Sequence, residues 1–213
     1  MGNKIIIALD GISGKKALGI AKILKGMVWG FKVNDLLFED PKIIGKLKKY
    51  GKVFADAKLY DIPNTVANSV AKLSRVGADI ITVHASGGIE MMQMAKLNAG
   101  RAKIIAVTAL TSNQVNSKDV IPLARDAIKA KLDGIVCSGQ DIQYIKRIPE
   151  SKSLLKVIPG IRPLWYKNRD DQKRIVTPRE AIKLGTDYLV IGRPILKSKN
   201  LTESIQKLKA ELK

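Results

Sequence analysis

The residues with the clearest chemical potential lie in the segment Phe54-Ala55-Asp56-Ala57-Lys58-Leu59-Tyr60-Asp61-Ile62-Pro63-Asn64-Thr65. Side chains alternate between the two faces of an extended strand, so Asp56 and Lys58 are expected to point the same way. The apolar residues ahead of them put that face at the mouth of a core. Withdrawing a carboxylate and an ammonium from water is costly unless the two pair. Such a pair can simply serve the fold. It can also supply fixed charge and a proton to a reacting group, with the lysine as acid. Asp61 follows just before Pro63 and a predicted helix from Asn64 to Val76, where a carboxylate equally suits a helix start.

The elements that must position these residues are legible as short, β-branched apolar runs. They are Lys4 to Leu9, Met27 to Val33, Lys52 to Ala57, Asp79 to Val83, Lys103 to Thr108, Gly134 to Cys137, Leu155 to Ile158 and Tyr188 to Ile191. Each is followed by a turn and a stretch of helical period. Alternating β and α elements imply an α/β fold with a parallel sheet and right-handed crossovers. Eight such units in 213 residues fit a closed (β/α)8 TIM barrel, read as a single domain over residues 1–213. Apolar residues at Leu201, Ile205, Leu208 and Leu212 make the segment Leu201 to Lys213 the closing outer helix. Chemistry in such a barrel sits on the loops at the C-terminal ends of the strands. Polar residues at those ends therefore become candidates: Asp10 after the first run, Lys32 in the second, Asp56 and Lys58 in the third, Thr111 and Ser112 after the fifth, and Gly192-Arg193 after the eighth.

Composition narrows the classes of partner. A balance of 38 Lys+Arg against 19 Asp+Glu gives a net charge of +19, which attracts phosphorylated metabolites, nucleic acid or acidic surfaces. The lysines are spread along the chain on what read as solvated helix faces. Three Phe, five Tyr and two Trp are too few to interleave with them as an RNA-binding surface would require, so no nucleic-acid partner is expected. No run approaches the ~20 apolar residues of a membrane span, and Met1 leads straight into a strand-like run rather than a signal peptide. A cytoplasmic protein without a membrane partner is expected. Cys137, the single cysteine, reads as a small buried hydrophobe, and His84, the single histidine, as a structural hydrogen-bonding residue.

Taken in order, the motifs resemble the orotidine 5'-monophosphate decarboxylase family over essentially the whole chain. The pattern Asp-x-Lys-x-x-Asp-Ile-Pro-x-Thr at the third strand carries the resemblance, with Lys32 in Phe31-Lys32-Val33 ending the second. Ala8-Leu9-Asp10, Val83-His84-Ala85, Leu110-Thr111-Ser112, Pro159-Gly160-Ile161-Arg162-Pro163, Asp171-Gln172-Lys173-Arg174 and Ile191-Gly192-Arg193-Pro194 extend it. The resemblance implies decarboxylation of orotidine 5'-phosphate to UMP and CO2 in pyrimidine biosynthesis, with no metal and no cofactor. It maps an alternating charge network onto Lys32, Asp56, Lys58 and Asp61. It further implies a homodimer with shared active sites, in which Asp61 and Thr65 serve the neighbouring subunit.

By the same resemblance, Lys58 is the proton donor to C6, Asp56 lies against the substrate carboxylate, and Asp10, Lys32 and Asp61 reach the ribose hydroxyls. Thr111 and Ser112 compete for one contact to the pyrimidine. Pro159 belongs to the substrate-binding set. Gly192 and Arg193, with Arg162 and Gln172 from the long loop after the seventh strand, are expected to hold the phosphate. Residues 164–174 read as the lid, and the stretch Leu164-Trp165-Tyr166-Lys167-Asn168-Arg169 is bulkier and more basic than the family's Gly- and Ser-rich version. A magnesium-dependent aldolase of the hexulose phosphate synthase type shares Asp-x-Lys-x-x-Asp but has an acidic residue where Lys32 stands. A lysine there repels the metal, which leaves this a lesser alternative. A basic nucleic-acid-binding barrel, the other, would account for the +19 but leaves the interior charge cluster without a purpose.

Overall fold

The computed structural model describes residues 3–110, 117–167 and 174–212. Eight parallel strands close into a barrel in sequence order: β1 (Ile5–Ala8), β2 (Gly30–Val33), β3 (Lys52–Leu59), β4 (Ile80–His84), β5 (Lys103–Val107), β6 (Gly134–Val136), β7 (Leu155–Ile158) and β8 (Tyr188–Ile191). Closure comes from β1 pairing with β2 on one side and β8 on the other, Ile6 lying opposite Gly30 and Val190. Helices fill the crossovers and cover the outside, ending with Leu201–Glu211 against the first helix, Gly14–Leu24.

The strands are apolar on both faces because each face meets protein. Residues pointing inward, among them Ile6, Phe54, Ile80, Ile105, Val157 and Val190, form a compact plug along the barrel axis. Trp29 and Tyr188 pack against its lower end, their ring centroids 4.9 Å apart. Residues pointing outward, such as Ile5, Ile7, Phe31, Val53 and Ile81, join the larger core beneath the helices. At Gly30 the approach of β2 to β3 permits no side chain, since a Cβ would stand 2.0 Å from the Lys52 carbonyl oxygen.

Element bounds differ from the sequence reading in two informative places. The run Met27 to Val33 yields a strand only from Gly30, because Met27 and Trp29 form the turn that brings the chain to the barrel floor. The third strand does not stop at Ala57 but continues to Leu59 through an irregularity. Ala55 pairs with Ile81 while Leu59 pairs with Val83, so more residues of β3 than of β4 fill this interval. Within that bulge Lys58 adopts φ +46°, left-handed backbone that a non-glycine residue enters only at a cost. Simple alternation is thus not what brings Asp56 and Lys58 together; the bulge re-aims Lys58. No helix among the described residues is long and apolar enough to cross a membrane.

Candidate active site

A cavity of about 560 Å³ opens at the C-terminal ends of the strands, within the range of small-ligand sites. One wall carries charge from β1 to β3: Asp10, Lys32, Asp56 and Lys58. The opposite wall carries Pro159, Gly160 and Arg162 after β7, and Gly192 and Arg193 after β8. Its apolar lining includes Val107 together with Ala8, Phe54, Val136 and Val190 from the upper surface of the axial plug.

The charged wall is a connected chain of ion pairs. Lys32 Nζ lies 2.7 Å from Asp10 Oδ2 and 3.1 Å from Asp56 Oδ2. Lys58 Nζ lies 2.7 Å from the same Asp56 oxygen. Burial pushes the Lys32 ammonium down, but the carboxylates of Asp56 and Asp10 outweigh it and hold Lys32 above the usual lysine range. Burial likewise pushes the Asp56 carboxyl up, and Lys32 and Lys58 outweigh that, holding Asp56 below the usual carboxylate range. Both groups therefore carry charge at neutral pH, and two cations against two anions leave the wall neutral overall. The cost of burying charge is met by pairing, as the sequence reading required.

Backbone contacts set this geometry. Asn34, just past β2, donates from Nδ2 to the Asp56 carbonyl at 2.6 Å. Asp35 accepts the Gly11 amide at 2.8 Å, tying the loop after β1 to the end of β2. Thr82 on β4 accepts the Lys58 amide at 2.8 Å and donates to Asp56 Oδ1 at 3.0 Å. None of these was singled out from sequence. Asn34 and Asp35 were within reach of the same rule that found Lys32, being polar residues at a strand's C-terminal end. A threonine within a strand, like Thr82, looks like any other β-former.

Two expected site residues stand apart. Asp61 and Thr65 are exposed and do not line the cavity of their own chain. Asp61 accepts the Ile62 amide at 2.7 Å, and the helix that follows runs Pro63–Arg75 with Ile62 at its N-cap. The expected residues Thr111, Ser112 and Gln172 lie outside the described residues. His84 also stays out of the cavity lining; it meets Tyr60 edge-on at 6.1 Å, and burial, followed by the nearby Lys58 charge, lowers its pKa. Cys137 is buried, and that burial pushes its thiol up to about 12.

The connection from β7 to β8 is fastened where it leaves and re-enters the barrel. Ile161 bridges Val176, and the Arg162 amide donates to the Val176 carbonyl at 3.0 Å. Arg162 lies over the Tyr166 ring, 5.8 Å from its centroid. Arg174, buried, pairs with the fully buried Asp141 in the loop after β6, and Asp141 also accepts the Ser138 hydroxyl at 2.8 Å.

Comparison with known proteins places this architecture. A model of the orotidine 5'-phosphate decarboxylase / HUMPS family matches residues 3–208. The chain belongs to that family. It is 41% identical to the orotidine 5'-phosphate decarboxylase of Carboxydothermus hydrogenoformans, an alignment that covers 100% of this chain and 97% of that protein. The enzyme of the same name from Dichelobacter nodosus is also 41% identical, with 98% of each chain covered. Among solved structures, the orotidine 5'-phosphate decarboxylase of Lactobacillus acidophilus superposes with a TM-score of 0.82 at 30% identity, covering 99% of both chains. The Methanocaldococcus jannaschii orotidine 5'-monophosphate decarboxylase complexed with the inhibitor BMP gives 0.82 at 27% identity, covering 99% of this chain and 98% of that one.

Proposed function

We propose that the chain decarboxylates orotidine 5'-phosphate to UMP and CO2 in the cytoplasm, as a homodimer and without metal or cofactor. The observation that carries the reading is the paired Asp56 and Lys58, 2.7 Å apart at the cavity wall, with Lys32 closing the network behind them. The C6–carboxylate bond breaks, CO2 departs, and the electron pair stays at C6. Lys58 stabilises that pair as it develops and delivers its proton to C6, taking a new one from solvent. Asp56 lies beside the substrate carboxylate, where repulsion present in the ground state is relieved as CO2 leaves. Because Lys32 fixes Asp56 from the far side, the charges are in place before the substrate arrives. Little reorganisation remains to be done at the reaction step.

The phosphate would sit across the cavity on Arg193, Arg162 and Gly192, with Pro159 beside it and Gln172 reaching from the lid. Arginine suits a dianion because its planar fork donates two hydrogen bonds at once. Asp10 and Lys32 would take the ribose hydroxyls, and Thr111 or Ser112 the pyrimidine. Asp61 and Thr65 would complete the neighbouring subunit's site. In support, Asp61 is flanked by Tyr60 and Ile62, 66% and 67% exposed, an apolar surface suited to a second copy of the chain.

A lesser alternative is a magnesium-dependent aldolase of the hexulose phosphate synthase type, which shares Asp-x-Lys-x-x-Asp. Here the Lys32 ammonium occupies the space between Asp10 and Asp56, where a divalent cation would need further oxygen ligands. Turnover of orotidine 5'-phosphate, followed by ultraviolet absorbance with and without EDTA, tests the proposal. Full activity in EDTA is expected. No turnover, or turnover abolished by the chelator, would overturn it.

A further inference from the structure

We propose that Thr82 is a positioning residue for decarboxylation, its single hydroxyl fixing both the Asp56 carboxylate and the backbone of Lys58. The inference rests on the catalytic reading of Asp56 and Lys58 given above. Thr82 lies on β4 opposite the bulge of β3, between Ile81 and Val83, which pair with Ala55 and Leu59. It is fully buried and does not line the cavity, so it acts only through its neighbours.

The bulge creates a need that Thr82 meets. Where the ladder is interrupted, the Lys58 amide loses the carbonyl partner it would have in a regular strand, and a buried amide without an acceptor is costly. Thr82 Oγ1 supplies the acceptor at 2.8 Å. An amide can only donate, so the hydroxyl must accept from it, and the hydroxyl proton is thereby directed to Asp56 Oδ1 at 3.0 Å. That leaves Asp56 Oδ2 to both lysines, at 3.1 and 2.7 Å. The carboxylate is held at each oxygen, and Lys58 is held at its amide in a left-handed conformation, φ +46°, that it would otherwise leave. The two reacting groups therefore share one hinge point outside the cavity.

Thr82→Val keeps the shape and removes the hydroxyl, while Thr82→Ser keeps the hydroxyl and removes the methyl. The valine variant is expected to lose about ten- to a hundredfold in kcat, the effect of one hydrogen bond to a charged group, with KM for orotidine 5'-phosphate and affinity for UMP changed by less than about threefold. Thr82→Ser is expected to recover kcat to within about threefold of wild type. Wild-type kcat in the valine variant would overturn the inference, and so would serine and valine variants that are equally poor. A loss confined to KM or to melting temperature would assign Thr82 to the fold and also overturn it. Should Thr82→Val not fold, Thr82→Ala takes its place; if neither folds beside an active serine variant, the role is stability and the inference fails. A wild-type chain without decarboxylase activity overturns the proposed function and this inference together. An active wild type, an inactive Lys58→Ala and an unaffected Thr82→Val overturn the inference alone.

Discussion

Lys32 and Lys58 converge on one atom, Oδ2 of Asp56, at 3.1 and 2.7 Å. Two ammonium groups can share an oxygen only if the acid between them is ionised, and this links the site's geometry to pH. The Asp56 carboxyl is depressed against the push of burial, by Lys32 and Lys58. A depressed acid contributes stability that is present above its unfolded pKa of about 4 and lost as pH falls through its lower folded value. Lys32, raised by Asp56 and Asp10 against the push of burial, contributes stability below its unfolded pKa of about 10.4 that is lost as pH rises through its higher folded value. Urea denaturation of wild type and Asp56→Asn is expected to differ most near neutrality, the gap narrowing below about pH 4. A gap that stays constant through the acid range would show that Asp56 is not the ionised centre of the pair.

Lys58→Ala is expected to abolish decarboxylation while the fold and UMP binding persist. The Lys58 side chain is 31% exposed at the cavity wall, so its removal leaves no large buried void. A loss of less than about tenfold, ~1.4 kcal/mol in the barrier, would be too small for the group that protonates C6. Single-turnover measurements separate that step from product release.

How far the sequence reveals this site depends on what each residue does. Strands such as Lys103–Val107 and Tyr188–Ile191 are legible because burial on both faces demands continuous apolar, β-branched runs. Lys32 and Asp56 are legible because charge inside such a run is costly and must have a partner. The bulge at Lys58 leaves no mark, since a left-handed lysine is written like any other lysine and only the β3–β4 register exposes it. Arg174 in Lys173-Arg174-Ile175 looks like a surface basic residue until the fold buries it against Asp141. Asp61 is ambiguous for a different reason. Among the described residues the Ile62 amide is its hydrogen-bond partner, and the role proposed for it in a second molecule's site would leave no mark in a single chain.

The buried Arg174 and Asp141 make a stability prediction independent of the chemistry. Arg174→Met leaves the Asp141 carboxylate with the Ser138 amide and hydroxyl but without its cation. The expected cost is about 3–5 kcal/mol. The double variant Arg174→Met/Asp141→Leu should regain only part of it, because no unpaired carboxylate remains but the buried Ser138 amide and hydroxyl lose their acceptor. Urea midpoints of the wild type, both single variants and the double variant measure the coupling. Additive losses would mean the two side chains do not depend on each other.

Arg193 lines the cavity at the start of the short helix Arg193–Leu196, on the wall facing Lys58. If it grips the phosphate, Arg193→Ala should raise KM for orotidine 5'-phosphate by about ten- to a hundredfold, the loss of a charge-assisted hydrogen bond. Turnover of orotidine, which lacks the phosphate, should change far less. Equal losses on both substrates would place Arg193 in another role.

Asp61 allows the shared site to be tested by mixing. It is exposed on its own chain, absent from its own cavity, and bordered by the exposed Tyr60 and Ile62. If it serves a partner's cavity, Asp61→Ala and Lys58→Ala should each be inactive alone, because every site in either homodimer lacks one contribution. In a dimer with one chain of each kind, one site collects both defects and the other collects both wild-type groups. Random exchange makes about half the dimers mixed, so about a quarter of all sites are intact. Activity on mixing should approach that fraction of wild type, and it should appear only as fast as subunits exchange, which a fluorescence-transfer pair on the two variants reports separately. If exchange is complete and no activity returns, Asp61 acts within its own chain and the site is not shared.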